Sequence, residues 1–409
     1  MDKSIIKRDL FEEIVKYLNT DNILVLHGAR QVGKTYILYY LNQYLHENGE
    51  ATFYLDLEDS RMVETLNSGV ETFLSFLSAE GVDFNELKRS RKKLFVFIDE
   101  VQYLSSPSSF LKLIADHHPD LQLIVSGSSS FDIKTKFSDS LVGRTVNFEV
   151  YPLNFSEFLH FKGLNFKLKQ EPVPVHLQKL TSLYEEYINF GGYPKIVLEN
   201  SLEKKEKYLQ QIIDTYIKKD IRDLANIKDA QKFNNLLKVL ASQSGSLLNT
   251  AQLSRTCGLS VPTINNYLFI LEKTYIIKLL SPFSSSAKVE IVKSPKVFFF
   301  DTGLLKMLWL KNLQTGFFGN VLETSVFSEL SKKYNPSNLN FWRSKGGNEI
   351  DFILQEKGGI LPIEVKSDFS HFSKKSMEFF LQKYHQSAYR VVALRGKKIL
   401  PQFIYPWEL

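Results

Sequence analysis

One cysteine, Cys257, stands in a chain of 409 residues, so no disulfide can form within it. This excludes a small secreted fold stapled by disulfides and fits a reducing compartment. No apolar run reaches the roughly 18–20 residues that a membrane helix needs. The greasiest stretch, 297–310, is interrupted by Asp301 and Lys306. The first residues, MDKSIIKRDLFEEIV, lack the apolar core of a secretory signal. A cytoplasmic protein without membrane association is therefore expected. Internal repeats and low-complexity tracts are missing too, and the eight histidines show no metal-ligand spacing. Nor is there a strong charge of one sign: 51 Lys and Arg against 45 Asp and Glu leave +6. That balance permits nucleic-acid binding without demanding it.

What is present is ordinary for a folded chain, with 44% hydrophobic and 23% charged residues. The length predicts two or three cores. Short apolar runs at 23–26, 52–57, 94–98, 121–125 and 145–150 alternate with helix-spaced segments such as 36–45 and 110–117. Such alternation predicts an α/β fold with a parallel sheet covered by helices over 1–152. Residues 153–228 read as helical, with a polar loop near 163–175 and a long charged helix near 202–224. A compact helical unit with short strands is expected over 229–304, and a mixed α/β domain over 305–409.

After the first apolar run comes Gly28-Ala29-Arg30-Gln31-Val32-Gly33-Lys34-Thr35, which is G-x-x-x-x-G-K-[ST] between a strand and a helix. Glycines let backbone N–H groups curl around phosphate oxygens, and the helix start presents its positive dipole end. Lys34 would reach the β- and γ-phosphates of ATP, and the Thr35 hydroxyl would ligate Mg²⁺. The bland alternative is a glycine-containing turn that binds nothing. The run at 94–98 ends in Asp99-Glu100, at the sheet edge where ligands of parallel sheets bind. Asp99 would complete the Mg²⁺ shell, and Glu100 would act as general base on the attacking water. A solvated loop start would look similar. Ser126, in the run 123–130, ends a further strand in hydroxyl residues; a serine-rich turn is the alternative.

These segments, with Gly143-Arg144 and Tyr151-Pro152-Leu153 before Glu157-Phe158, resemble a family of prokaryotic AAA-type ATPases with a C-terminal domain of unknown function. The resemblance implies a sensor role for Ser126 beside the γ-phosphate. It also implies that Arg144 is a finger completing a neighbouring subunit's site, which would need a homo-oligomer. A role within its own subunit and a surface ion pair stay open. Gly191-Gly192-Tyr193-Pro194 resembles a lid element of related signalling ATPases, which makes Tyr193 and Pro194 candidate nucleotide contacts. A glycine helix stop followed by proline reads the same way.

Residues 249–272 have helix–turn–helix shape, with one short helix ending at Gly258 and a second from about Val261. Strands at 276–280 and 296–300 would form the wing of a winged-helix-like module. The recognition face offers Thr263, Asn265 and Asn266 without Lys or Arg, although Arg255, Lys288, Lys293 and Lys296 lie nearby in sequence. So poor a charge argues against strong autonomous DNA binding and favours the module's other use, as a packing unit.

Four residues in the last hundred complete a second pattern. Glu323 lies on a helical run, Asp351 near the start of an apolar strand, and Glu364-Val365-Lys366 on the next. Period-two geometry sets Glu364 and Lys366 on one face. This is similar to PD-(D/E)XK nucleases, whose restriction-endonuclease-like fold is then expected. The resemblance makes Glu323, Asp351 and Glu364 ligands of Mg²⁺ or Mn²⁺ and Lys366 the residue that orients or deprotonates a water. Alternating charges on a solvated strand are the plain alternative. The expected function is an Mg²⁺-dependent ATPase coupled to a nuclease-like domain acting on DNA. A regulatory switch that grips nucleic acid or protein without cleaving is the other reading.

Overall fold

The structure, a computed structural model, describes residues 5–127, 141–168, 170, 172–221, 227, 229–284, 294–313, 316, 319–356 and 359–409. The chain divides into two compact units, Met1–Tyr151 and Pro152–Leu409.

The first unit holds β1 (Ile23–Gly28), β2 (Ala51–Asp56), β3 (Leu94–Asp99), β4 (Leu121–Gly127) and β5 (Thr145–Val150). All pair in parallel, in the order β2-β3-β4-β1-β5. β1, β3 and β4 are buried along their whole length. That is why each reads as an unbroken apolar run rather than an alternation. The helix Lys34–Glu47 follows β1 and buries Ile37, Leu38, Leu41 and Leu45. The helix Pro107–His117 opens on proline, whose fixed φ suits a first helical turn, and buries Phe110, Leu111 and Ile114. Because β4 lies between β3 and β1, the ends of three neighbouring strands bring Asp99, Ser126 and Gly28 to one edge.

The second unit begins with helices, among them Phe155–Phe161, Pro174–Phe190 and Leu202–Ile212. The long charged helix expected to 224 is α-helical only to Ile212 and continues as π-helix over Ile213–Ile221. Next come Ala230–Ser242, Thr250–Cys257 and Val261–Lys273, the last two separated by Gly258 at φ +63°. Asn249 and Ser260 cap their N-termini by accepting from backbone N–H groups. Ile264, Tyr267, Leu268 and Leu271 are buried. An antiparallel ribbon of β6 (Ile277–Leu280) and β7 (Lys296–Phe299) follows. Lys288 and Lys293 lie outside the described residues.

After the helices Thr302–Leu310 and Gly319–Lys333 comes a five-stranded sheet. Its strands are β8 (Leu339–Arg343), β9 (Glu349–Glu356), β10 (Gly359–Asp368), β11 (Arg390–Arg395) and β12 (Phe403–Ile404), ordered β12-β11-β10-β9-β8. β8, β9 and β10 run antiparallel; β10, β11 and β12 run parallel. The crossover helix Lys374–Tyr384 buries Met377 and Phe380 against Trp342 and Ile353. A buried polar network joins the start of this unit to the helix Gly319–Lys333. Lys332 Nζ donates to Leu153 O at 2.9 Å and to the Tyr187 hydroxyl at 2.7 Å, while Phe155 N–H donates to Glu329 Oε2 at 3.0 Å. No described helix is long and apolar enough to cross a membrane.

Candidate nucleotide site and C-terminal acid cluster

Sterics fix the loop between β1 and its helix. A Cβ on Gly28 would stand 2.1 Å from Val150 O, so only glycine fits beside the end of β5. Gly33 has φ +99° and precedes the first helical residue, where a side chain would be strained. Ala29 and Val32 are buried and anchor the loop from inside, and Gln31 carries φ +62°. Arg8 braces it, donating to Val32 O at 2.9 Å and Tyr151 O at 3.0 Å. Nothing in the spacing of Arg8 marked it beforehand; only the tertiary fold brings residue 8 under residue 32.

Lys34 is 5% exposed, and its ammonium donates to Gly28 O at 3.1 Å and Ala29 O at 2.8 Å. Burial pushes it down to about 8, opposed by the charges of Glu100 and Asp99 and assisted by Arg30. It is thus a cation held near two carboxylates, resting on carbonyls that a phosphate would replace.

Asp99, 3% exposed, ends β3. Its Oδ1 accepts from the Ser126 hydroxyl and from Glu100 N–H at 3.1 Å, and its Oδ2 accepts from the Tyr54 hydroxyl at 3.1 Å. Glu100 N–H also lies 3.2 Å from Ser126 Oγ. Glu100 has φ +57°, turning the chain sharply off the strand, and its carboxylate accepts from the Gln102 amide. Ser126 is therefore spent on orienting Asp99 and the backbone of Glu100; Ser128–Ser130 lie outside the described residues. Tyr54 entered by a route the motifs do not carry, through the register that sets Asp56 opposite Asp99 on β2 and β3. The Thr35 hydroxyl and the Asp99 carboxylate are hard oxygen donors of the kind Mg²⁺ takes, and the carboxylate is already held in place, so this pair fits that ion.

Arg144 lies at the other end of the sheet. It precedes β5, and its carbonyl accepts from Ile23 N–H at the start of β1. Six residue steps from Arg144 to Val150, beside Gly28, at about 3.3 Å each, separate it from the phosphate-loop edge by roughly 20 Å. Of the three readings open in the sequence for Arg144, the geometry is that of the surface ion pair. Its guanidinium makes a two-point pair with Asp116, at 2.5 and 3.2 Å, with both side chains about one-third exposed.

The Gly191-Gly192-Tyr193-Pro194 element is occupied by packing. A Cβ on Gly191 (φ +78°) would strike Asp301, and one on Gly192 would stand 2.3 Å from Leu153 O. Asp301 accepts Gly192 N–H at 2.7 Å and caps the helix Thr302–Leu310 through Leu304 N–H. Tyr193 is 1% exposed, its ring packed within the second unit. Pro194 opens a short helix, Pro194–Leu198.

In the second unit, Glu323 projects from the helix Gly319–Lys333, Asp351 from β9, and Glu364 and Lys366 from β10. Asp351 Oδ2 accepts Val365 N–H at 2.8 Å, and Lys366 Nζ donates to Glu364 Oε1 at 2.6 Å. Glu364 Oε2 is buried with no hydrogen-bond partner. Burial, then the charge of Asp351, pushes the Glu323 carboxyl up to about 8 and that of Glu364 up to about 7; burial also raises Asp351. The acids expected to act together are therefore neighbours.

They do not, however, fit a divalent ion as arranged. Among the described residues no three acidic, histidine or cysteine side chains converge closely enough to hold a metal. A lysine stands among them instead. Lys296, which the sequence sets along the wing, is buried with its Nζ 3.2 Å from Glu323 Oε1 and 2.7 Å from Glu349 Oε1.

Residues 20–159 match a family model described as an AAA domain, 181–315 a domain of unknown function (DUF8612), and 318–407 another (DUF4143). An uncharacterised protein of Haemophilus influenzae is 27% identical over 376 residues, covering 89% of this chain and 88% of its own. One of Methanocaldococcus jannaschii is 28% identical over 379 residues, covering 85% and 79%. Among solved structures, the Walker-type ATPase PABY2304 of Pyrococcus abyssi superposes with a TM-score of 0.44 at 16% identity, covering 74% of this chain and 95% of that one. AMPPCP-bound DnaA from Aquifex aeolicus gives 0.28 at 18% identity, covering 64% and 86%. The loop geometry and the matched model agree over the first unit: a parallel sheet with a glycine loop after its first strand, similar to an AAA domain of the P-loop type over residues 20–159.

Proposed function

We propose that this protein binds and hydrolyses ATP with Mg²⁺ in its first unit, and that the nucleotide state governs a nuclease-like second unit acting on DNA. The observation that carries the ATPase reading is the arrangement at the sheet edge. Lys34, Asp99 and Glu100 stand together, and Asp99 is fixed by three donors before any ligand arrives. On binding, Lys34 exchanges the carbonyls of Gly28 and Ala29 for β- and γ-phosphate oxygens, and the loop amides of 28–33 face the same charge. Thr35 and Asp99 hold the metal, which supplies neutralisation of the phosphate charge. Glu100 orients the attacking water and accepts its proton. Calorimetry with ATP tests the first part: wild type binds, Lys34→Ala does not, and Glu100→Gln binds without turnover. Absence of binding by the wild type overturns the reading.

For the second unit, the paired helices 250–257 and 261–273 with their ribbon support a winged-helix-like module, whose exposed Asn265 and Asn266 would face DNA. The sheet with Asp351, Glu364 and Lys366 on adjacent strands supports the nuclease-like assignment. One observation favours a second reading, a switch that grips DNA or protein without cleaving: the ammonium of Lys296 seated in the acid cluster. Incubation of supercoiled DNA with protein, ATP and Mn²⁺ separates them. Nicking that is lost in Glu364→Ala supports cleavage; intact DNA with nucleotide-dependent binding supports the switch.

A further inference from the structure

The side chain of Lys296 is 5% exposed and belongs to the ribbon, yet its charge serves the acid cluster. Its Nζ lies over the Phe341 ring at 5.5 Å, besides touching Glu323 and Glu349. An ammonium buried this deeply loses its hydration and needs polar or charged partners in its place. Its backbone is held as firmly. β7 pairs with β6, Leu248 N–H donates to Pro295 O at 2.8 Å, and Gly245 N–H donates to Val297 O at 2.7 Å.

The same loop closes over Glu323 from a second direction. A Cβ on Gly245 (φ +84°) would stand 3.2 Å from Glu323 Oε2, and Ser244 Oγ lies 2.8 Å from Thr324 Oγ1. Glu323 thus has Gly245 against one carboxylate oxygen and the Lys296 ammonium against the other, both from the segment before its own helix. Around it, Lys366 is folded onto Glu364, and Arg343 lies 3.6 Å from Glu349. Every acid but Asp351 has a cation of the chain against it, and Asp351 is tied to the β10 backbone.

We propose that Lys296 is the resident cation of this cluster and that its ammonium, seated between Glu323 and Glu349, keeps the cluster closed to divalent metal. A divalent ion needs carboxylate oxygens within about 2.0–2.6 Å of one point, and an ammonium already touching Glu323 and Glu349 holds those oxygens apart. The segment matched as DUF8612 (181–315) therefore contributes a residue to the site of the segment matched as DUF4143 (318–407). This deepens the nuclease-like reading of the second unit and rests on it.

The test uses the full chain without nucleotide and Mn²⁺ as the probe, its binding followed by electron paramagnetic resonance. Lys296→Met keeps the length of the side chain and removes its charge. It is expected to bind Mn²⁺ at least tenfold more tightly than wild type, with the gain erased by adding Asp351→Asn. Equal binding by wild type and Lys296→Met overturns the proposal. Should Lys296→Met fail to fold, acylation of wild-type lysines read by mass spectrometry decides. Lys296 is expected to be protected and to become reactive in millimolar Mn²⁺; reactivity unchanged by Mn²⁺ overturns it. DNA nicking is assayed separately. A chain that never nicks DNA, yet gains Mn²⁺ in Lys296→Met, sinks the nuclease-like reading and leaves the latch standing.

Discussion

The Tyr54 hydroxyl donates to Asp99 Oδ2 at 3.1 Å, joining an aromatic residue of one strand to the catalytic-edge carboxylate of the next. Tyr54 lies against Tyr39 of the phosphate-loop helix, with ring centroids 4.8 Å apart, and stacks on Phe97 of β3. Its hydroxyl is therefore set by packing. Burial, with the charge of Asp99, holds that phenol well above its usual range, so it stays a donor at any working pH.

Groups that orient a metal-binding carboxylate typically matter by about 10–100-fold. Tyr54→Phe, which keeps the ring and removes the donor, is expected to lower ATP turnover roughly tenfold. The loss should fall on the Mg²⁺ dependence, with nucleotide affinity in the absence of metal unchanged. A Mg²⁺ titration of ATPase rate that matches wild type would show that Ser126 and the Glu100 amide suffice.

Much of the first unit could be read from the sequence because each signal was local. Gly28 to Thr35 is a contiguous motif, and buried parallel strands announce themselves as apolar runs. Tyr54 and Arg8 were invisible because their roles depend on strand order and on contacts across 24 to 143 residues. In the second unit, Glu323, Asp351, Glu364 and Lys366 were legible by spacing. Lys296 was not, since on a strand its sequence context is that of any surface ribbon. For Tyr193 the sequence left two readings, because a glycine pair before proline serves packing on Asp301 as readily as it serves a ligand.

Gly303 offers a test of that packing. A Cβ there would stand 2.1 Å from Phe190 O and 3.0 Å from Gly191 N, backbone atoms that cannot swing aside. Gly303→Ala is expected to destabilise the second unit by about 1–3 kcal/mol, as overpacking of a close backbone contact does. A urea melt reads it directly, and an unchanged midpoint would mean the helix Thr302–Leu310 can shift at little cost.

Arg144 yields a sharper outcome from its position at the far edge of the sheet. If it completes a neighbouring subunit's site, loss of ATP turnover in Arg144→Ala is rescued by a second copy that keeps the arginine. Arginine fingers contribute on the order of 10³-fold in phosphoryl transfer. Arg144→Ala and Lys34→Ala, each inactive alone, are expected to recover turnover when mixed, because one supplies the intact loop and the other the intact arginine. No recovery, with wild-type turnover in Arg144→Ala, would leave only the ion pair with Asp116.

The buried ammonium of Lys34 predicts how nucleotide affinity depends on pH. Free of ligand it sits at about 8, below its ordinary 10.5, because burial disfavours its charge. Triphosphate brings negative charge against it and favours the protonated form, so the complex holds the proton to higher pH than the free protein does. Below pH 8 both states are protonated, and affinity is flat with respect to this group. Above pH 8 the free protein has lost the proton, binding must take one up, and ATP affinity is expected to fall about tenfold per pH unit. Calorimetry at pH 9 in two buffers of different ionisation heat should report uptake of close to one proton per ATP. Equal heats in both buffers would mean that Lys34 stays charged in the free protein, and that the carboxylates of Asp99 and Glu100 outweigh its burial.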